Sequence, residues 1–157
     1  MKAKYTKFQI ALEIIGILLL LGMIIFVCIK WSQLPDQIPG HYDSKGVINR
    51  WGSKNEIFIV PIVSVVLYAS MTLISFFPSL WNIPISANNK NKEAVYRCTR
   101  SLLILTNIEM LGMFFFMTYN QANSQALPAD FLPVTMVIIF GTLTFFVIRI
   151  IKFAKKK

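Results

Sequence analysis

The sequence predicts an all-α membrane protein with four transmembrane helices and a structured loop, outside the cytoplasm, between the first two. Three observations carry that prediction. Hydrophobic residues make up 55% of the 157 and charged residues only 15%, against about 25% charged in ordinary soluble domains. The apolar residues fall in four runs, at 10–29, 57–77, 101–119 and 132–151. Each run matches the roughly 20 mostly apolar residues that cross about 30 Å of hydrocarbon. Basic residues, finally, gather at alternate ends of those runs. The sequence reads as one membrane domain over 1–157, with no internal repeat and no low-complexity segment beyond the lysine tail.

The net charge is +9, and its placement orients the chain. Short cytoplasmic loops carry an excess of Lys and Arg. Lys2, Lys4 and Lys7 precede the first run, and Lys90, Lys92, Arg97 and Arg100 lie between the second and third. Arg149, Lys152, Lys155, Lys156 and Lys157 follow along the end of the fourth. The first loop dilutes its cations over 30–56 and offsets them with Asp36, Asp43 and Glu56, and the third loop has none. Both termini are therefore expected in the cytoplasm of a multi-pass plasma-membrane protein. The basic ends then meet an anionic inner leaflet. They offer no folded basic face of the kind that binds nucleic acid.

The first helix exceeds the roughly 7–15-residue apolar core of a signal peptide and lacks a small-residue cleavage site. Bulky Val27 before Cys28 argues against lipidation. Cys28 and Cys98 fall at opposite ends of spans about 30 Å long, too far for a disulfide. Glu13 lies about one turn inside the first run and is expected at the interface, paired with Arg149.

The loop "LPDQIPGHYDSKGVINRWGSK" over 34–54 holds the single histidine, two aspartates, three glycines and two prolines. Pro35 and Pro39 keep their predecessors extended. Asp43-Ser44-Lys45-Gly46 suits a type I turn closed by a left-handed glycine, hence a short β-hairpin. Tyr42, Val47 and Trp51 are expected to tuck against the helix ends. His41 and Asp43 alternate along a strand and so share a face, with Asp36 nearby. They are candidates for a metal or an acid–base pair, although structural zinc usually takes four ligands.

Ser53 and Glu56 are spaced as a capping box for the second helix, and Pro61 should bend its start. Ser64, Tyr68, Thr72 and Ser75, spaced four, four and three, form a polar stripe expected to face other helices. In the third helix Glu109 lies roughly 12 Å past Ser101. An ionised carboxylate there costs about 2.5–3.5 kcal/mol, which makes it a functional candidate. Arg149, Tyr68 or Thr106 are its expected partners, with Asn107 pointing elsewhere. Asp130 is the expected N-cap of the fourth helix, Pro133 lies in its first turn, and nothing in that helix suggests chemistry.

Leu34-Pro35, Ile38-Pro39, His41-Tyr42, Gly46 and Trp51-Gly52-Ser53-Lys54 together resemble the signature of a bacterial membrane domain of unknown function. That domain is shared with the SdpI-type immunity proteins of Gram-positive bacteria. Where its members often have Pro-Asp before the tryptophan, this chain has Asn49-Arg50. The resemblance implies protection against a peptide toxin or recruitment of a cytoplasmic regulator; with no catalytic constellation in the sequence, a non-enzymatic protein without a cofactor is expected. A membrane enzyme or a proton- or metal-linked transporter using His41, Asp43 and Glu109 is the alternative, as is an accessory subunit of a membrane complex.

Overall fold

A computed structural model describes residues 4–81, 83 and 91–155; Lys2, Lys90, Lys156 and Lys157 lie outside them. The chain runs α1 (Lys7–Lys30), a 3-10 turn (Trp31–Gln33), β1 (Gln37–Tyr42) and β2 (Ile48–Ser53). A second 3-10 turn (Lys54–Phe58) leads into α2 (Ile59–Phe76), and a third (Pro78–Leu80) follows it. Then come α3 (Lys92–Ala122) and α4 (Phe131–Lys155). Four helices are long and apolar enough to cross a membrane. A two-stranded antiparallel sheet accompanies them.

Each helix starts where its sequence lets it. Thr6 and Gln9 form a reciprocal capping box on α1. The Ser53–Glu56 box forms differently from the expected one. Ser53 Oγ accepts the Asn55 N–H, while the Glu56 carboxylate reaches back to the Ser53 backbone and is also held by Arg50. The segment opens as a 3-10 turn and becomes α-helical at Ile59. Pro61 thus lies in the first turn of α2, where its missing N–H breaks no intrahelical bond. Asp130 directly precedes α4, and its carbonyl accepts the Val134 N–H.

α3 is the longest element at 31 residues, roughly 46 Å, and it is central. It packs against α1, α2 and α4, whereas α4 has no comparable contact with α1 or α2. Its polar residues explain this placement, because they leave it in three directions. Asn107 donates to the Tyr68 carbonyl and Thr72 of α2. Glu109 accepts from Thr142 of α4. Ser101 accepts from Gln9 of α1.

The stripe on α2 faces inward as expected, with Ser64, Tyr68 and Ser75 buried. Two apolar cores sit at opposite ends. Val27, Leu34, Ile38, Ile57 and Ala122 pack beneath the hairpin. Val95, Cys98, Phe146, Ile150 and Ala154 join α3 to α4 near the chain termini.

Candidate functional site

The hairpin forms because its turn closes itself. Gly46 has φ +79°, the left-handed region that glycine enters without strain. The Gly46 N–H donates to the Asp43 carbonyl at 3.0 Å. Asp43 Oδ1 accepts the N–H groups of Lys45 and Val47, both at 2.9 Å. Such side-chain capping of its own turn is typical of Asp.

The hairpin is then bound to the α3–α4 connection. The Leu127 N–H donates to the Gly46 carbonyl at 2.9 Å. Tyr42 donates its phenol to the Gln125 carbonyl at 3.1 Å. Gln121, at the end of α3, donates to the Pro39 carbonyl at 2.8 Å. Burial pushes the Tyr42 phenol up to about 12. Arg50 braces the open end, bonding the Gly40 carbonyl and both Glu56 oxygens. That pairing holds its guanidinium above its ordinary value. Gly52 lies under the Glu56 carboxylate with no room for a Cβ. Lys54 lies 5.3 Å over the Trp31 ring and 4.0 Å from Asp36; Pro35 is exposed.

Two expectations for this loop are corrected. Val47 and Trp51 are not tucked in; they are 53% and 50% exposed. Leu34, Ile38 and Pro39 fill the interior instead. The strand register slips on either side of His41, and such irregularities turn side chains to the other face. Nor do His41 and Asp43 form a pair. His41 Nδ1 bonds Asn49 Oδ1 at 2.7 Å, while Asp43 serves the turn. Among the described residues no three metal-ligating side chains come together.

The intramembrane candidates also separate. Glu13 does not pair with Arg149: Tyr68 donates to Glu13 Oε2 at 3.1 Å, its ring seated on Gly16. Glu109 pairs with neither Arg149, Tyr68 nor Thr106. Its bond is to Thr142, and Thr106 Oγ1 has no partner among the described residues. Thr142 thus gives α4 a polar contact with α3. Arg149 stacks on Phe145 and Phe153.

A further correction concerns Arg100, expected in a solvated basic loop. It is helical and only 3% exposed, 4.3 Å from the Tyr5 ring, 5.7 Å from that of Trp81, and bonded to the Ser75 carbonyl. Its position one residue before an apolar run, with aromatics flanking both neighbouring spans, was the available signal. Gln121, Gln125 and Leu127 carried no comparable signal, because their partners are distant in sequence.

Two clefts meet beside the hairpin. One, of about 400 Å³, is lined by His41, Tyr42 and Asp43. The other, of about 430 Å³, runs between α3 and α4 to Glu109. They share Met113, Pro128 and Phe131.

The hairpin lies within a segment that resembles a known family. Residues 18–65 match a domain of unknown function, DUF1648. The match runs from the middle of α1 through the hairpin to the first turns of α2. An uncharacterized protein of Archaeoglobus fulgidus is 30% identical over 86 residues, covering 50% of this chain and 45% of that protein. The chain thus spans less than half the length of that relative. No solved structure matches the chain.

Proposed function

We propose that this is a non-enzymatic plasma-membrane protein whose hairpin, residues 34–54, faces outward as a recognition or shielding element, like SdpI-type immunity and regulatory proteins. One observation carries the reading: a hairpin held by the α3–α4 connection presents Val47 and Trp51 to the surroundings. A rigid exposed aromatic lowers the ordering cost of binding and is a common interface anchor. His41 Nδ1 and Asp43 Oδ1 are both engaged in holding the loop, which supports a structural part for these two residues. The basic residues near the chain termini support a cytoplasmic placement of both termini. The partner outside is a membrane-active peptide, and Lys92 and Arg97 offer a contact for a cytoplasmic regulator.

Deletion of the gene, followed by challenge with co-encoded membrane-active peptides, tests this. Sensitivity should rise, return to normal with the intact gene, and stay raised with a Val47→Ser, Trp51→Ala double variant expressed at equal level. Unchanged sensitivity of the deletion strain would remove the immunity reading.

A second reading, a proton- or metal-linked transporter or membrane enzyme using His41, Asp43 and Glu109, is favoured by the two clefts that meet at Met113 and Phe131. It requires His41→Ala and Glu109→Gln to abolish an activity at unchanged expression. Variants that merely fold poorly would count against it.

A further inference from the structure

At the end of the molecule opposite the hairpin, a crevice of about 420 Å³ opens between α1 and α4 over the start of α3. Thr6, Gln9, Arg97, Ser101, Arg149 and Phe153 line it. It exists because α3 separates α1 from α4, which leaves a lateral gap between them. Gln9, 1% exposed, seals the floor by donating to the Arg97 carbonyl and to Ser101.

Charge in the crevice is unbalanced. Glu93 also lines it, but its carboxylate is bonded to Arg97 at 2.6 Å. Arg149 has no ion pair among the described residues. Its guanidinium is held between the Phe145 and Phe153 rings, 5.5 and 5.4 Å from their centroids. Stacked in that way, an Arg keeps its planar set of donors free for a phosphate. Lys152 and Lys155 follow in the last turn of α4.

We propose that this crevice binds the phosphate headgroup of an anionic phospholipid, with Arg149 as its principal contact and Arg97 as its second. A lipid is favoured over a soluble phosphate by position. The crevice opens sideways, at the end of two membrane-crossing helices whose outer faces are apolar. Phe8 is 62% and Phe145 54% exposed, so acyl chains lie alongside once the headgroup docks. Basic pockets between helices at the cytoplasmic face commonly hold such headgroups. The site does not rest on the immunity reading.

The full chain, purified in a neutral detergent, is titrated with short-chain phosphatidylglycerol, with short-chain phosphatidylcholine and with inorganic phosphate, and its thermal unfolding is followed. Phosphatidylglycerol should stabilise the protein more than phosphatidylcholine does, and inorganic phosphate should have no effect. Arg149→Gln should weaken the phosphatidylglycerol response roughly fivefold, while Arg149→Lys retains part of it. Lys152→Gln, which removes one charge outside the crevice, should leave the response intact. Unfolding temperatures without lipid identify any variant that is simply destabilised; an Arg97→Gln variant then takes its place. Equal responses to the two lipids, an undiminished response in Arg149→Gln, or inorganic phosphate matching the lipid would each overturn the proposal.

Discussion

Gly46 and Leu127 meet backbone to backbone: the Leu127 N–H donates to the Gly46 carbonyl at 2.9 Å. A Cβ added at Gly46 would run into the Leu127 carbonyl. One residue thus closes the hairpin turn and joins it to the α3–α4 connection. Gly46→Ala places an L side chain at φ +79° and forces the two segments apart. The variant should lose on the order of 2 kcal/mol or more, and its hairpin should become sensitive to protease. Gly112 and Gly141, with open space around them, are the controls. Alanine there should be neutral or stabilising, by up to about 1 kcal/mol. Thermal unfolding of the three variants in detergent separates the cases, and similar losses in all three would contradict the account.

Arg100 illustrates a cation that the surrounding fold holds in place. Its guanidinium lies over Tyr5 and Trp81 and bonds the Ser75 carbonyl at 3.2 Å. Tyr5 in turn bonds Ser75 Oγ at 2.8 Å. A desolvated cation–π contact is worth about 2 kcal/mol and a hydrogen bond from a charged group about 1.5–3 kcal/mol. Arg100→Ala should therefore destabilise by about 3 kcal/mol, and Arg100→Lys should recover only part, because an ammonium cannot stack as a planar guanidinium does. Arg97→Ala is the comparison. Its ion pair with Glu93 is half exposed and should cost less than about 1 kcal/mol. Denaturant unfolding of the three variants checks the order.

The sequence made the four spans legible because a bilayer demands length and apolarity, both of which are local. The hairpin turn was legible for the same reason: Asp43 and Gly46 act on their own backbone. What failed depends on contacts between distant residues. The exposure of Val47 and Trp51 is not legible, because it depends on how the hairpin docks on the distant α3–α4 connection. Arg100 reads as a loop cation because the apolar run starts at Ser101, whereas α3 begins nine residues earlier at Lys92. Thr142 has a role only because Glu109 faces it across a helix interface.

Glu109 lies near the middle of α3, thirteen residues before Ala122, roughly 20 Å from that end. Thr142 donates to Oε1, while Oε2 is buried without a partner among the described residues. Thr142→Val removes the donor and leaves both oxygens unserved, so the α3–α4 pair should lose about 1–3 kcal/mol. Glu109→Gln keeps an acceptor for Thr142 and removes any ionised form. It should fold with stability equal to or above that of the parent. A Gln variant as unstable as Thr142→Val would mean that the carboxyl group itself is required there.

Tyr42 makes the docking of the hairpin pH-dependent. Its phenol is held at about 12, above its ordinary 10.0, by burial. Below pH 10 the phenol is protonated in both the docked and the released hairpin, so docking is fully stabilised. Between about 10 and 12 the released phenol ionises and the docked one does not, so stability falls as pH rises. Tyrosinate absorbance of the parent minus that of Tyr42→Phe should show a single titration near pH 12. A difference titration near pH 10 would mean that the phenol is not buried.

The hairpin joins the C-terminal end of α1 to the start of α2, and it is bound to the α3–α4 connection. These two connections must therefore share one side of the membrane, which is what an even number of crossings between them requires. Only the assignment of that side to the exterior depends on charge. The opposite end carries Lys4, Lys7, Lys92, Arg97, Lys152 and Lys155, and the positive-inside bias is the ground for proposing that it faces the cytoplasm. Cys28 is exposed and lies near the hairpin end, so it would report on the same side as the loop and must first be removed. In a Cys28→Ser, Cys98→Ser background, Ser44→Cys in the turn should react with a membrane-impermeant thiol reagent in intact cells. Lys92→Cys at the start of α3 should react only after lysis. The reverse pattern would place the hairpin in the cytoplasm, and a recognition element for an external peptide would no longer be tenable.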